Sequence, residues 1–251
     1  MFDRSQFIRP IAHRGLHDAS AGLLENTAPA FLAGIARGYG LECDLRPAID
    51  GTPFVFHDDR LDRLVDATGL FETRTPSELS SLRYRGQSTH ILTYAEFLEL
   101  AGGKVPLLVE IKSEWDAPDP RFLKSIAEQS LAYHGPLALM SFDPAVIIAM
   151  KDLAPSLPRG IISGHYDGPH WWPDKVDAER AFRLTHCLES GPAEPNFIAY
   201  DIKALPTPVT RFAREVMGLP LFTWTVRTEA QLQRAATWAD APIFEGCTPL
   251  R

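Results

Sequence analysis

Cysteine is scarce in this chain. Its 251 residues include three, Cys43, Cys187 and Cys247, odd in number and far apart. That spacing suits neither a disulfide framework nor a zinc finger. Long hydrophobic runs are missing as well. No stretch of roughly 18 apolar residues occurs, so no helix is expected to span a membrane. There is no basic block, and 25 basic residues stand against 32 acidic ones, a formal charge of −7. Nucleic acid and anionic membrane surfaces are therefore not expected partners, and a site for an anion must bring its own cations. The opening stretch MFDRSQFIRPIAHRG lacks the basic-then-apolar pattern of a signal peptide. No solenoid-period repeat or low-complexity tract is visible. What remains is the expectation of a soluble, cytoplasmic globular chain without stable membrane insertion, its oligomeric state open.

What is present is an alternation of short apolar runs and helical patterns. Strands are predicted at 8–13, 39–45, 106–111, 136–141, 159–163, 197–202, 219–224 and 242–245. Helices are predicted at 27–37, 93–101, 120–132, 143–153, 174–187, 207–217 and 228–237. Thr93 with Glu96 three residues on reads as a capping box, and Thr228 opens another helix. Eight strands alternating with helices over this length predict an α/β fold, a (β/α)8 TIM barrel, with a doubly wound sheet as the rival. Residues 1–251 are read as one domain. The segment from about 50 to 105 is too long for a simple connection and predicts an insertion after strand two. Residues 164–173, GHYDGPHWWP, predict a second long loop.

In such a barrel the chemistry sits at the C-terminal ends of the strands. His13 and Arg14 end strand one, Glu42 and Asp44 lie in strand two, and Glu110 and Lys112 end strand three. Asp201 with Lys203, and Thr223 with Trp224, close later strands. Glu42 and Asp44 are two apart, so they share a strand face, with Cα atoms roughly 6.5–7 Å apart. Two buried carboxylates side by side need a positive partner. Adding Glu110 gives three oxygen ligands from neighbouring strands, which favour Mg²⁺, Ca²⁺ or Mn²⁺ over Zn²⁺. The rival reading pairs these acids with Arg14, Arg46 or Lys112 as salt bridges. His13 and His57 are the proton-transfer candidates, because imidazole titrates at about 6.5. Arg14 offers a planar fork for phosphate oxygens and Lys112 a point-like cation. That much positive charge suits a phosphate ester.

AHRG at 12–15, LENT at 24–27, ECDLRPAIDGTPFVFHDDRLDR at 42–63 and LLVEIK at 107–112 resemble the glycerophosphodiester phosphodiesterase family in order and spacing. SFDP at 141–144 and WTV at 224–226 are similar to its later landmarks. The resemblance implies a TIM barrel with an insertion after strand two, and divalent-metal-dependent hydrolysis of small glycerophosphodiesters to glycerol 3-phosphate and an alcohol. It implies His13 and His57 as the acid/base pair, Glu42, Asp44 and Glu110 as metal ligands, and Arg14 and Lys112 as phosphate contacts. Glu25 and Asn26 are similar to a supporting pair, with Glu25 orienting Arg14 or His13. Trp224 resembles the aromatic lining the glycerol side. Whether water or the glycerol 2-hydroxyl attacks stays open.

Two positions depart from the pattern. Arg227 follows WTV where the family usually has Asn, and Glu245 stands where it usually has Asp. Neither is expected to touch the metal or proton-transfer set; both bear on substrate choice. Cys43 lies between the two strand-two acids, so its side chain should face the other way and pack. His165, Tyr166, His170, Trp171 and Trp172 form either an aromatic wall for the alcohol or, as favoured, packing. The alternatives of other classes are a phospholipase-D-like or phosphoinositide-type lipase on the same barrel, and a non-catalytic phosphodiester-binding barrel.

Overall fold

The computed structural model describes residues 2–167, 172 and 174–249. The chain opens with a short helix, α1 (Arg4–Phe7), and β1 (Ile11–Ala12). Helix α2 (Ala28–Ala36), β2 (Gly40–Pro47), β3 (Pro53–Val55), α3 (Pro76–Ser81) and α4 (Tyr94–Ala101) follow. Then come β4 (Leu107–Ile111), α5 (Pro120–Ala132), β5 (Leu137–Ser141), α6 (Pro144–Leu153), β6 (Arg159–Ser163) and α7 (Ala178–Thr185). The chain ends with β7 (Phe197–Asp201), α8 (Pro208–Arg211), β8 (Leu221–Val226), α9 (Glu229–Trp238) and β9 (Ala241–Phe244).

Eight strands pair in parallel in the order β1, β2, β4, β5, β6, β7, β8, β9, and β9 pairs back onto β1 to close the sheet. This is a (β/α)8 TIM barrel, and all eight predicted strands are its staves. The ninth strand, β3, is antiparallel to β2 and was missed. Three residues are too few to show a period. The predicted 174–187 helix begins only at Ala178, because the Asp177 side chain accepts from Arg180 N at 2.8 Å and caps it there. The predicted 207–217 helix is α8 running into a wider π-type turn, Phe212–Val216. The Thr93 capping box is present, with Glu96 Oε2 accepting from Thr93 N at 2.8 Å.

Alternation along the strands separates two cores. Leu41, Cys43 and Leu45 of β2, with Leu107, Val109 and Ile111 of β4, pack outward under the helices. Leu108, Met140, Ile162, Phe222 and Ile243 fill the barrel interior. Glu42, Asp44 and Glu110 lie on the inward phase of their strands. Cys43 is fully buried in the outer core, on the face opposite the acids.

The layer between β2 and α4 has its own small core, built around Phe54, Phe56, Phe71 and Tyr84. Phe56 stacks on Phe71 with centroids 4.9 Å apart. This packing sets the position of His57, the next residue. Helix α4 packs against α2 and α5 and so belongs to the outer ring. No helix among the described residues is long and apolar enough to cross a membrane.

Candidate active site

The β2–β4 register places Asp44 directly beside Glu110 and Glu42 beside Leu108. Each of Glu42, Asp44 and Glu110 can offer an oxygen, all within 4.8 Å of one another. All three carboxylates are buried. His13, Arg14, His57 and Lys112 join Glu42 and Glu110 around a cavity of about 420 Å³ at the C-terminal mouth of the barrel. Trp224 lines its opposite side.

The salt-bridge reading holds in part. Lys112 Nζ lies 2.7 Å from Asp44 Oδ1 and also meets Glu110 Oε1. Arg14 Nε lies 3.2 Å from Asp44 Oδ2. Arg46 reaches none of the three; it donates to Glu114 Oε1 and to the His57 carbonyl, each at 2.7 Å. Glu42 is left over. Its Oε2 accepts from Arg14 N at 2.9 Å, but its buried Oε1 has no hydrogen-bond partner among the described residues. An orphaned buried carboxylate oxygen is costly without a cation or a proton.

The charges follow this geometry. Burial, then the charges of Asp44 and Glu110, push the Glu42 carboxyl well above its ordinary range. Burial also lifts Glu110, against the pull of Lys112. Asp44 goes the other way: Lys112 and Arg14 outweigh its burial and hold it well below the carboxylate range. A divalent cation would supply the positive charge that the orphaned Glu42 oxygen lacks. The oxygen-only donor set suits a hard cation.

Arg14 is positioned by its backbone as well as by its side chain. It takes a left-handed conformation, with φ of 53°, that aims its N–H at Glu42 and its guanidinium at the mouth. Glu25 Oε1 accepts from Arg14 NH1 at 2.7 Å, so the orienting role expected of Glu25 has a geometric basis. Asn26, with φ of 56°, donates Nδ2 to Asp44 Oδ2 at 2.8 Å. The expected supporting pair therefore props two different groups.

Each imidazole is backed by a carboxylate. His57 Nδ1 donates to Asp58 Oδ1 at 2.8 Å, and Arg63 braces Asp58 and Glu25 together. Burial and Lys112 lower the His57 pKa to about 4. His13 is buried, and its Nδ1 meets Glu245 Oε2 at 2.5 Å. The His13 and His17 hydrogen bonds outweigh the burial of Glu245 and hold its carboxylate ionised. An ionised carboxylate only accepts, so His13 Nδ1 carries the hydrogen. His13 Nε2, 3.9 Å from Glu42 Oε2, is left for chemistry. Arg227 Nε donates to the other oxygen of Glu245 at 2.6 Å.

This overturns one expectation. The two departures from the family pattern, Arg227 and Glu245, pair with each other, and Glu245 touches the proton-transfer set through His13. Closure of β9 onto β1 brings together residues 232 positions apart. His17, 3.3 Å from Glu245 Oε2, joins them.

The glycerophosphoryl diester phosphodiesterase family model matches residues 13–244, nearly the whole barrel and every residue placed above except Glu245. The chain belongs to this family. A Bacillus subtilis glycerophosphodiester phosphodiesterase is 24% identical over 258 residues, covering 94% of this chain and 83% of that one. A Caldanaerobacter subterraneus glycerophosphodiester phosphodiesterase is 30% identical over 165 residues, covering 61% and 65%. The match to a Mycobacterium tuberculosis protein named "Probable glycerophosphodiester phosphodiesterase 1" spans 63% of that relative's length. An Oleispira antarctica phosphodiesterase structure, in complex with sn-glycerol-3-phosphate, shares the fold with a TM-score of 0.73 at 23% identity, covering 94% and 92%.

Sequence reading took Glu245 and Arg227 only as departures bearing on substrate choice, and gave no role to Asp58 and Arg63, which lie inside the matched 42–63 stretch of this phosphodiesterase-family site. Asp58 adjoins His57 in the HDD stretch, a signal that could have found it. Of the aromatic loop, His170 and Trp171 lie outside the described residues. Trp172 packs against Phe142 and Trp115, with centroids 5.3 Å from each.

Proposed function

We propose that this chain hydrolyses glycerophosphodiesters to glycerol 3-phosphate and an alcohol, as a single barrel domain whose β2–α4 layer serves to place His57. One observation carries the reading. Three buried carboxylates converge, one with an orphaned oxygen, at a cavity lined by two imidazoles, each backed by its own carboxylate. The homologous enzymes' names and the Oleispira product complex support the substrate class.

Glu42, Asp44 and Glu110 would hold a divalent cation, Mg²⁺, Ca²⁺ or Mn²⁺, which when bound supplies charge stabilisation to the phosphoryl group. Arg14, steadied by Glu25, would take phosphate oxygens with its fork, and Lys112 adds a second cation. One imidazole takes a proton from the attacking hydroxyl, of water or of the glycerol C2. That oxygen bonds to phosphorus, and the phosphorus–oxygen bond to the alcohol breaks; on the C2 route this leaves a cyclic phosphate, which a water then opens at the C2 oxygen to give glycerol 3-phosphate. The other imidazole gives a proton to the departing oxygen. Trp224, edge-on to Phe142 at 5.2 Å, walls the glycerol side.

The test is release of glycerol 3-phosphate from glycerophosphocholine, glycerophosphoethanolamine and glycerophosphoglycerol by purified protein. Each is run with Mg²⁺, Ca²⁺, Mn²⁺ and chelator. Turnover lost on chelation supports the reading. Absence of turnover with every pair overturns it and favours a non-catalytic barrel.

A further inference from the structure

The HRGLH stretch at 13–17 holds a second histidine that the hydrolytic chemistry leaves unused. His13 and His17 are four apart, a histidine spacing that zinc sites use. Chain closure adds a third ligand. His13, His17 and Glu245 can each offer a ligand atom, and these lie within 4.8 Å of one another. Two imidazoles and one carboxylate differ in kind from the all-oxygen trio of Glu42, Asp44 and Glu110. Nitrogen with oxygen suits Zn²⁺ and its borderline neighbours, whereas oxygen alone suits Mg²⁺ or Ca²⁺.

The three groups are held in place. Leu16 N donates to Ala30 O of α2 at 2.9 Å and His17 N to Gly15 O at 2.9 Å, which fixes the turn carrying His17. Arg227 Nε donates to Glu245 Oε1 at 2.6 Å and leaves Oε2 facing the two rings. A hydrogen-bonded far oxygen is the usual support of a ligating carboxylate. Two ligands on a tetrahedral Zn²⁺, each at about 2.0–2.1 Å, stand about 3.3 Å apart. His17 Nε2 and Glu245 Oε2 already have that separation, 3.3 Å. His13 Nδ1, now 2.5 Å from the same oxygen, reaches it by drawing back roughly 0.8 Å. Access comes from outside the barrel mouth. A separate cavity of about 780 Å³, beside α2 and the segment after β9, is lined by His17, Arg37, Glu245 and Cys247. It leaves room for a water as fourth ligand.

We propose that His13, His17 and Glu245 form a second metal site, for Zn²⁺ or a similar borderline cation, and that its occupation switches turnover off. The switch rests on the hydrolase reading above; the metal site does not. Metal on His13 Nδ1 displaces the hydrogen that Glu245 accepts, and the neutral ring then carries its hydrogen on Nε2. The hydrogen passes from one ring nitrogen to the other through solvent, so none is gained or lost. Such a ring has no lone pair for an attacking hydroxyl and, uncharged, is a poor donor to a departing oxygen. Either role of His13 is blocked while the acid trio keeps its own cation.

The experiment adds Zn²⁺ to wild type and to His17→Gln turning over the most active of the three diesters in saturating Mg²⁺. Each rate is taken relative to the same protein without zinc. Half-inhibition of wild type is expected at a Zn²⁺ concentration that stays fixed when Mg²⁺ is raised about tenfold, because the two cations occupy different ligands. His17→Gln should raise that concentration by about tenfold or more, since even a partner of a ligand is worth about 10–100-fold in affinity. A half-inhibition that climbs in step with Mg²⁺ places zinc on the acid trio and overturns the proposal, as do equal values for the two proteins. Co²⁺ reads the site without turnover. Added to Mg²⁺-saturated wild type, it should give the strong visible absorption of a four-coordinate, nitrogen-ligated ion, absent from His17→Gln. The faint absorption of a six-coordinate oxygen site alone overturns the proposal, and this wild-type spectrum decides should His17→Gln fail to fold by circular dichroism. No turnover on any diester overturns the hydrolase reading and the switch with it, and the cobalt spectrum then judges the metal site by itself.

Discussion

Glu245→Gln tests the backing of His13. The carboxylate has two oxygens at work, one on His13 Nδ1 and one on Arg227 Nε. A glutamine of the same size keeps a single acceptor oxygen and loses the charge. If that oxygen stays on His13, a charge-assisted bond becomes a neutral one, and the amide NH₂ faces the Arg227 guanidinium. Bonds to charged groups contribute about 1.5–3 kcal/mol and neutral ones about 0.5–1.5, so about 1–2 kcal/mol of support is lost. If His13 transfers the proton in the transition state, that loss appears as about 5–30-fold in kcat. KM should hardly move, because Glu245 lies behind His13. Glu245→Ala removes both acceptors and should cost about 100-fold, within the range for a displaced general base. The assay is initial-rate release of glycerol 3-phosphate at saturating cation. A Glu245→Gln variant within twofold of wild type refutes the reasoning, as does a loss carried entirely by KM.

Further outcomes follow from the same geometry. His13→Ala should abolish most turnover while the circular dichroism melt stays cooperative; near-wild-type activity removes His13 from the chemistry. Because the Glu42 carboxyl is lifted by burial and its neighbours, binding of Mg²⁺ or Ca²⁺ should release protons increasingly as pH is lowered. Calorimetry in two buffers of different ionisation enthalpy reads this, and equal heats contradict it. His57 has a folded pKa of about 4, below its ordinary value, so the unfolded chain binds more protons between these limits. The metal-free protein should therefore hold this contribution fully above about pH 6.5 and lose it as pH falls towards 4. His57→Gln should show a shallower acid limb in urea melts across that window, and an unchanged limb counts against a neutral, half-buried imidazole. Cys43→Ala should lower stability by about 1 kcal/mol while retaining turnover, since the thiol packs under the helices. A large loss of turnover would place the thiol on the wrong face.

Much of this was legible because strand geometry converts sequence spacing into facing. Glu42 and Asp44 had to share a face, Cys43 had to oppose them, and apolar runs long enough to show their period marked all eight staves. The legible acids and histidines sit on the inward phase of a strand or just past its end, places the barrel defines in advance. What was hidden depends on closure. Glu245 meets His13 only because the last stave pairs with the first, and no local pattern records that. Arg63 reaches Asp58 and Glu25 across a loop and is visible only once the β2–α4 layer folds. The left-handed turn at Arg14 was equally unreadable, since arginine rarely takes a positive φ, and at Asn26 the residue type permits one without requiring it.

The most direct measurement is the cation dependence of glycerol 3-phosphate release by wild type and Asp44→Asn. The variant keeps the shape of the side chain that Asn26, Arg14 and Lys112 surround, and removes its charge. The account predicts that chelator silences wild type, that added Mg²⁺, Ca²⁺ or Mn²⁺ restores it, and that Asp44→Asn is not restored at the same concentrations. Chelator-insensitive turnover, or a variant that regains full activity at the wild-type cation concentration, would contradict it.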